Sequence, residues 1–316
     1  MGDARRIDTH LHMVPPTYAE RLKAKGLTAG GLPIPDWSVE GALALMDSID
    51  VQAGVLSVST PGAYLGGSVE ETRDLARTVN TFAAEVVRAA PNRFGFFATL
   101  CFPDIDGSIA EIEHAFDALG ADGAVLLTNV DGVYLGDDAW APIIEALDAR
   151  AAPIFVHPSY LPCEPLSGVP PFVADFLLDT TRAAINIARA GWLERFPNVR
   201  FILSHAGGFV PYAAERIAIA CAPDAAAAGA RLEMGLNRLR QFHYDTALSS
   251  SPYALPSLLA FADPERIVFG SDWPYATANS ARHFARQLDA YDLSDIQRRR
   301  IDRDNALALF PRLSDA

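Results

Sequence analysis

Short apolar runs alternate with amphipathic segments along the whole chain. Eight runs have strand character, at residues 6–10, 53–59, 94–100, 123–128, 153–157, 199–205, 242–246 and 266–271. Several are continuously apolar, as at 124–127 (AVLL) and 201–203 (FIL), which is how strands buried on both faces read. Helix-period segments lie between them, at 69–90, 108–119, 139–150, 179–196, 211–220, 232–240 and 281–290. The first carries Val69, Leu75, Val79, Phe82 and Val86 roughly on one stripe. Eight strands with helical crossovers predict an α/β protein, a closed (β/α)8 TIM barrel forming one domain over 1–316; an open doubly wound sheet is the competing topology. Two regions break the repeat. Residues 13–35 hold Pro15, Pro16, Pro33, Pro35 and the pair Gly30-Gly31 and read as a long first loop with a short helix. Residues 158–171 hold five prolines and Gly168 and read as an ordered loop over the barrel mouth after strand five. The segment 301–309 reads as a closing helix that packs as core.

Composition narrows the function. The length of 316 residues exceeds the about 250 of a plain barrel by an amount that loops absorb. With half the residues hydrophobic, a large core can form. The net charge of −13 disfavours nucleic acid and anionic lipid as partners, but a metal can reverse the field locally for a small anionic substrate. Three scattered cysteines, Cys101, Cys163 and Cys221, give no disulfide framework. No signal peptide or spanning segment is visible, and a cytoplasmic, soluble protein is expected.

Barrel enzymes carry their chemistry at the C-terminal ends of the strands. Here those ends read Asp8-Thr9-His10-Leu11-His12 after strand one, His157 after strand five, Ser204-His205 after strand six, Asp245 after strand seven and Ser271-Asp272-Trp273-Pro274 after strand eight. Residues i and i+2 of a strand share a face, so His10 and His12 converge as two imidazoles suited to one ion. Each piece has a plainer reading: an exposed pair of histidines, a strand-end His157, an Asp272 that caps a helix. Their recurrence at the ends of strands one, five, six and eight favours a metal site. His243 and Asp245 face one side, His243 as a structural residue of the interior and Asp245 as a ligand's partner or a loop cap. His114 and His283 are expected on helix surfaces, and Cys101 at the mouth without a ligand role.

This pattern resembles the amidohydrolase superfamily, with H-x-H after strand one, histidines after strands five and six, and aspartate after strand eight. The phrases IDTHLH at 7–12, RFPNVRFILSHAGG at 195–208 and FGSDWP at 269–274 resemble the aminocarboxymuconate-semialdehyde decarboxylase-like branch. The stretches 35–38 (PDWS) and 57–62 (SVSTPG) are similar to 6-methylsalicylate decarboxylases. The resemblance implies His10, His12, His157 and Asp272 as metal ligands, with His205 beside them working on the substrate or on a water. Asp179-Thr-Thr-Arg182 matches phrases of the branch, and Arg182 is then either a carboxylate-binding residue or part of a structural ion pair. Binuclear relatives bridge their metals with a carboxylated lysine after strand four. The only lysines here are Lys23 and Lys25 in the first loop, so one divalent ion is expected, zinc first and manganese as the alternative.

The expected reaction is nonoxidative decarboxylation of a small aromatic or unsaturated carboxylic acid, salicylate-like. The ion would grip the carboxylate or a neighbouring hydroxyl, and His205 or Asp272 would deliver the proton that replaces CO2. Phe172, Trp273, Trp37 and Tyr64 would supply apolar walls. The alternative is metal-dependent hydrolysis of a lactone, amide or similar bond by the same residues, and a third reading is a barrel with no catalytic role. A homodimer or higher homo-oligomer is expected, with Phe209, Tyr212, Leu255 and Leu258 as surplus apolar residues.

Overall fold

The computed structural model describes residues 5–223 and 227–315. Eight parallel strands run in sequence order: β1 Arg6–His12, β2 Val51–Ser57, β3 Phe94–Thr99, β4 Gly123–Leu127, β5 Pro153–His157, β6 Arg200–Leu203, β7 His243–Asp245 and β8 Ile267–Val268. The ring closes between β8 and β1, where Thr9 N donates to Phe269 O (2.9 Å), Asp272 N to His10 O (2.8 Å) and His12 N to Trp273 O (2.7 Å). The barrel is therefore that of the (β/α)8 class, and the open sheet is excluded. Outside this ring a short antiparallel pair, Asn129–Val130 with Val133–Tyr134, forms in the loop after β4.

Apolar residues fill two separate spaces. The barrel interior holds Ile7, Val55, Phe97, Val125, Phe155 and Ile202, and its lower end is plugged by Ala306, Phe310 and Leu313 from the C-terminal segment. The closing helix occupies Asn305–Leu309, shorter than the expected 301–309 but in the expected role. The larger outer core lies between strands and helices and takes the alternate strand positions, such as Leu11, Leu56, Leu126 and Val156. Both strand faces are thus buried, which is why the strands read as unbroken apolar runs.

Helices follow the expected crossovers with local corrections. The helix Val69–Ala89 starts at a capping box of Ser68 and Glu71. The expected segment 179–196 begins earlier and is split: a helix covers Asp175–Arg189, Gly191 turns at φ +71°, and a short helix follows over Trp192–Arg195. Three described α-helices were not expected, one of them the short Asp295–Arg299. Val39–Ser48 is capped by Ser38, whose Oγ accepts from Gly41 N at 3.0 Å, and it buries Ala42, Leu45 and Met46. Leu255–Phe261 carries Pro256 in its first turn, where the missing N–H costs nothing. It buries Leu255 and Leu258 completely, so these two leucines are core residues and not the surplus surface they were expected to be.

Candidate metal centre and active site

A bulge aims the first two ligands. On β1, Asp8 pairs with Gly54 of β2 but Leu11 pairs with Leu56, three steps against two. The extra residue moves the inward face from odd to even positions. Ile7 therefore faces the interior core, His10 and His12 face the site above it, and Leu11 turns to the outer core. His157 lies two residues beyond Phe155 on β5 and shares its inward face. The Phe155 ring is the floor: it lies 4.7 Å from His10 and 5.4 Å from Phe97, which in turn meets Phe310 of the plug at 5.6 Å.

Asp272 and His205 sit just past their strands in left-handed conformations, φ +61° and +53°. Non-glycine residues adopt this region rarely, and it recurs at functional sites. Gly270 makes the approach possible, since a Cβ there would stand 2.8 Å from His10 Cβ.

The donor atoms of His10, His12, His157 and Asp272 lie within 4.8 Å of one another, all buried, and they form the one such group found among the described residues. His10 Nε2 is 3.0 Å from His12 Nε2, and each lies 3.2 Å from Asp272 Oδ1. Such separations suit ligands of a single ion with bonds of about 2.1 Å. The far nitrogen of each ring is held by the protein. His10 Nδ1 meets Asp245 Oδ2 at 2.6 Å, His12 Nδ1 meets Ser57 Oγ at 3.0 Å, and His157 Nδ1 donates to Pro158 O at 2.8 Å. These contacts leave each Nε2 lone pair for the centre. Asp245 fills both roles considered for it, because its Oδ1 also accepts from Ala247 N at 3.0 Å.

The charges agree with a cation at the centre. Burial works against a proton on His10, but the carboxylates of Asp245 and Asp272 outweigh it and raise the imidazole to about 10. Burial and the neighbouring imidazoles hold His157 well below its usual value, and burial lowers His12. Burial would raise Asp272, yet His10, His12 and His205 pull its carboxyl well below the usual range. Without metal, the proton on His10 supplies the positive charge that these two carboxylates demand. A divalent ion would supply it in the proton's place. The donor set therefore fits one ion. The loop after β4 brings no lysine; its Thr128 and Asn129 bond Asp179 instead.

A cavity of about 700 Å³ opens on His157, His205 and Asp272 and is walled by Phe172, Phe176, Leu248 and Tyr275. His205 Nε2 lies 3.4 Å from Asp272 Oδ2. Of the expected substrate-binding residues, Phe172 lines this cavity. Trp273 is buried and turned towards Gly41 of the helix Val39–Ser48. Trp37 packs on Phe82 at 5.8 Å. Arg182 is exposed, its Nη1 3.4 Å from the Tyr134 hydroxyl. These three are not among the described lining residues. Tyr64 lines a second cavity of about 550 Å³, bounded by the loops after β2 to β5. Cys101 is in the outer core, where burial pushes its thiol up to about 12.

The residues not anticipated are Tyr275, Phe176 and Asp179. Tyr275 directly follows Pro274 in a loop that the strand-end rule already marked. Asp179 explains its own motif. It accepts from Thr128 and Asn129 of the β4 loop, from the Tyr134 hydroxyl (2.6 Å) and from Ser159 N (2.9 Å), and so pins three segments of the rim together.

Three imidazoles and a carboxylate at the strand ends of a closed barrel, with a cavity above them, define a metal-dependent barrel enzyme. The chain belongs to the amidohydrolase family, whose profile matches residues 7–312. It is 36% identical to a 6-methylsalicylic acid decarboxylase of Penicillium expansum, over 98% of this chain and 97% of that one. Among solved structures, an amidohydrolase II is similar with a TM-score of 0.89 and 29% identity, covering 97% of this chain and 99% of the other. A dihydroxybenzoic acid decarboxylase from Polaromonas sp. JS666, solved with manganese and the inhibitor 2-nitroresorcinol, has a TM-score of 0.76 and 22% identity, with 97% and 96% of the two chains covered.

Proposed function

We propose that this chain is a metal-dependent, nonoxidative decarboxylase of a small hydroxylated aromatic monocarboxylic acid. The observation that carries the reading is the cavity that opens on His205 and Asp272, in a chain similar over nearly its whole length to a 6-methylsalicylic acid decarboxylase. His10, His12, His157 and Asp272 would hold the ion. When bound, it supplies Lewis-acid polarisation of a substrate oxygen.

The protein's own residues do the rest. The described lining residues include no arginine or lysine, so a second carboxylate on the substrate would find no such cation to pair with, which favours a monocarboxylic acid. Phe172, Phe176 and Leu248 take the apolar face of a ring. The His205–Asp272 pair delivers a proton to the ring carbon that bears the carboxylate. The bond to the carboxylate carbon then breaks, its electrons restore the aromatic ring, and CO2 leaves. Solvent returns the proton to the pair.

Zinc is the ion favoured by three imidazoles and one carboxylate, with manganese, which the Polaromonas decarboxylase carries, as the alternative. Free thiols at Cys101, Cys163 and Cys221 support a reducing cytoplasmic setting, and no helix among the described residues is long and apolar enough to cross a membrane. Exposed Phe172, Val173, Phe209, Tyr212 and Tyr253 ring the cavity mouth. They support a homodimer that covers this rim, which light scattering at micromolar concentration would register as twice the chain mass.

One screen tests the activity. Protein loaded separately with zinc and manganese is given 2-hydroxybenzoates with and without a 6-methyl group, and CO2 is recorded beside any hydrolysis of lactones. CO2 release that chelation abolishes, with one equivalent of metal by elemental analysis, is the expected outcome. Lactone hydrolysis without CO2 would replace this reading with the hydrolase one.

A further inference from the structure

Two of the described residues lining the main cavity hold a buried polar atom with no partner, His205 at Nδ1 and Tyr275 at its hydroxyl. Tyr275 stands three residues beyond Asp272, and its ring lies edge-on to His12 with centroids 5.3 Å apart. The ring thus lies beside a metal ligand and borders the cavity, with its hydroxyl oxygen buried at the edge of that space. A buried hydroxyl without a bond is costly, and phenylalanine would fill the same space without that cost. Buried tyrosines ordinarily find a partner for the O–H. A ligand oxygen in this cavity would supply the missing partner, and the described lining offers no arginine or lysine to such an oxygen.

We infer that Tyr275 is a specificity-determining residue, whose hydroxyl donates a hydrogen bond to an anionic oxygen of an aromatic substrate held beside His12 and Asp272. The inference rests on the decarboxylase reading for the class of substrate. It explains why a site without protein cations selects a ring that carries oxygen next to its carboxylate. It also separates Tyr275 from Phe172 and Phe176, which offer the same ring nothing but apolar surface.

The test uses full-length, metal-loaded protein and Tyr275→Phe, with 2-nitrophenol as a probe that cannot lose CO2. Its nitro group stands in for the carboxylate and its phenolic oxygen is retained. Calorimetry should give a Kd about ten- to a hundredfold weaker for the variant, the loss expected of one hydrogen bond to a charged acceptor. Metal content should stay at one equivalent, and the unfolding midpoint of the ligand-free variant should hold or rise, because an unpaired hydroxyl has been removed. An unchanged Kd overturns the proposal, and so does a wild-type protein that does not bind the probe. A weaker Kd accompanied by lost metal or a lowered midpoint overturns it too, because it assigns Tyr275 a structural role. If wild-type protein binds the probe but releases no CO2 from any 2-hydroxybenzoate, the decarboxylase reading fails while the Kd ratio still decides on Tyr275.

Discussion

His205 and His10 look alike in the sequence and differ in their surroundings. His10 offers Nε2 to the centre while Asp245 holds Nδ1 at 2.6 Å. His205 reaches only the outer oxygen of Asp272, at 3.4 Å, and has an unpartnered Nδ1. The first arrangement anchors a metal ligand; the second leaves a ring able to take and give a proton. His205→Ala should therefore keep its metal and lose about 10²–10⁴-fold in turnover, the range of a general acid or base. His10→Ala should lose both metal and turnover. Elemental analysis alongside steady-state rates separates the two. Metal loss in His205→Ala equal to that in His10→Ala would make His205 a ligand and end the division of roles.

At the scale of the element, what matters is how closely β8 approaches β1. Gly270 lies where a side chain would meet His10 Cβ at 2.8 Å and the Cβ atoms of Asp245 and Ala247 at 3.3 Å. All three neighbours belong to the site or support it, so none can yield without moving a ligand. Gly270→Ala should cost about 1–3 kcal/mol, as overpacking does, and should weaken metal binding as well. Ser68→Ala provides the contrast. It removes the exposed capping box of the helix Val69–Ala89, whose bonds run between Ser68 and Glu71 and to no ligand, and should cost about 1 kcal/mol with metal affinity unchanged. Thermal unfolding and metal titration on both variants check this. A Gly270→Ala protein with wild-type metal affinity would show that the strand end has slack.

For the whole molecule, pH is the accessible lever. His243 is buried on β7 without a partner for Nδ1. Burial first, then Arg266 and Arg200, lower it to about 3 from an ordinary 6.5. Between those values the unfolded chain binds a proton that the folded chain refuses, so stability rises with pH there and falls as pH drops from 6.5 towards 3. The slope contributed by this one group is about 1.4 kcal/mol per pH unit at most. Replacing it, as in His243→Gln, should flatten the acid limb of the unfolding midpoint against pH and leave the neutral limb unchanged in slope. Identical limbs in both proteins would show that His243 stays protonated in the fold.

Sequence alone carried the strands and the pair His10 and His12, because both follow from local periodicity, while His157 and Asp272 were legible from their strand-end places and the family resemblance. A strand buried on both faces must be apolar throughout, and an i, i+2 pair must share a face, so the runs at 124–127 and 201–203 and the pair His10 and His12 were legible. So was the absence of a lysine after β4. What lies past a strand end is decided elsewhere. The side chains after β8 point where the left-handed turn at Asp272 and its bond to His10 O send them. That turn sends Trp273 to the outer core and Tyr275 to the cavity lining, where Trp273 was the residue expected to wall the site. Asp179 likewise reads as one more helix-opening acid until Thr128, Asn129, Tyr134 and Ser159 gather around it from the loops after β4 and β5. Partners so distant along the chain meet only through packing, which no local pattern encodes, so the tertiary structure alone fixed the walls of the site.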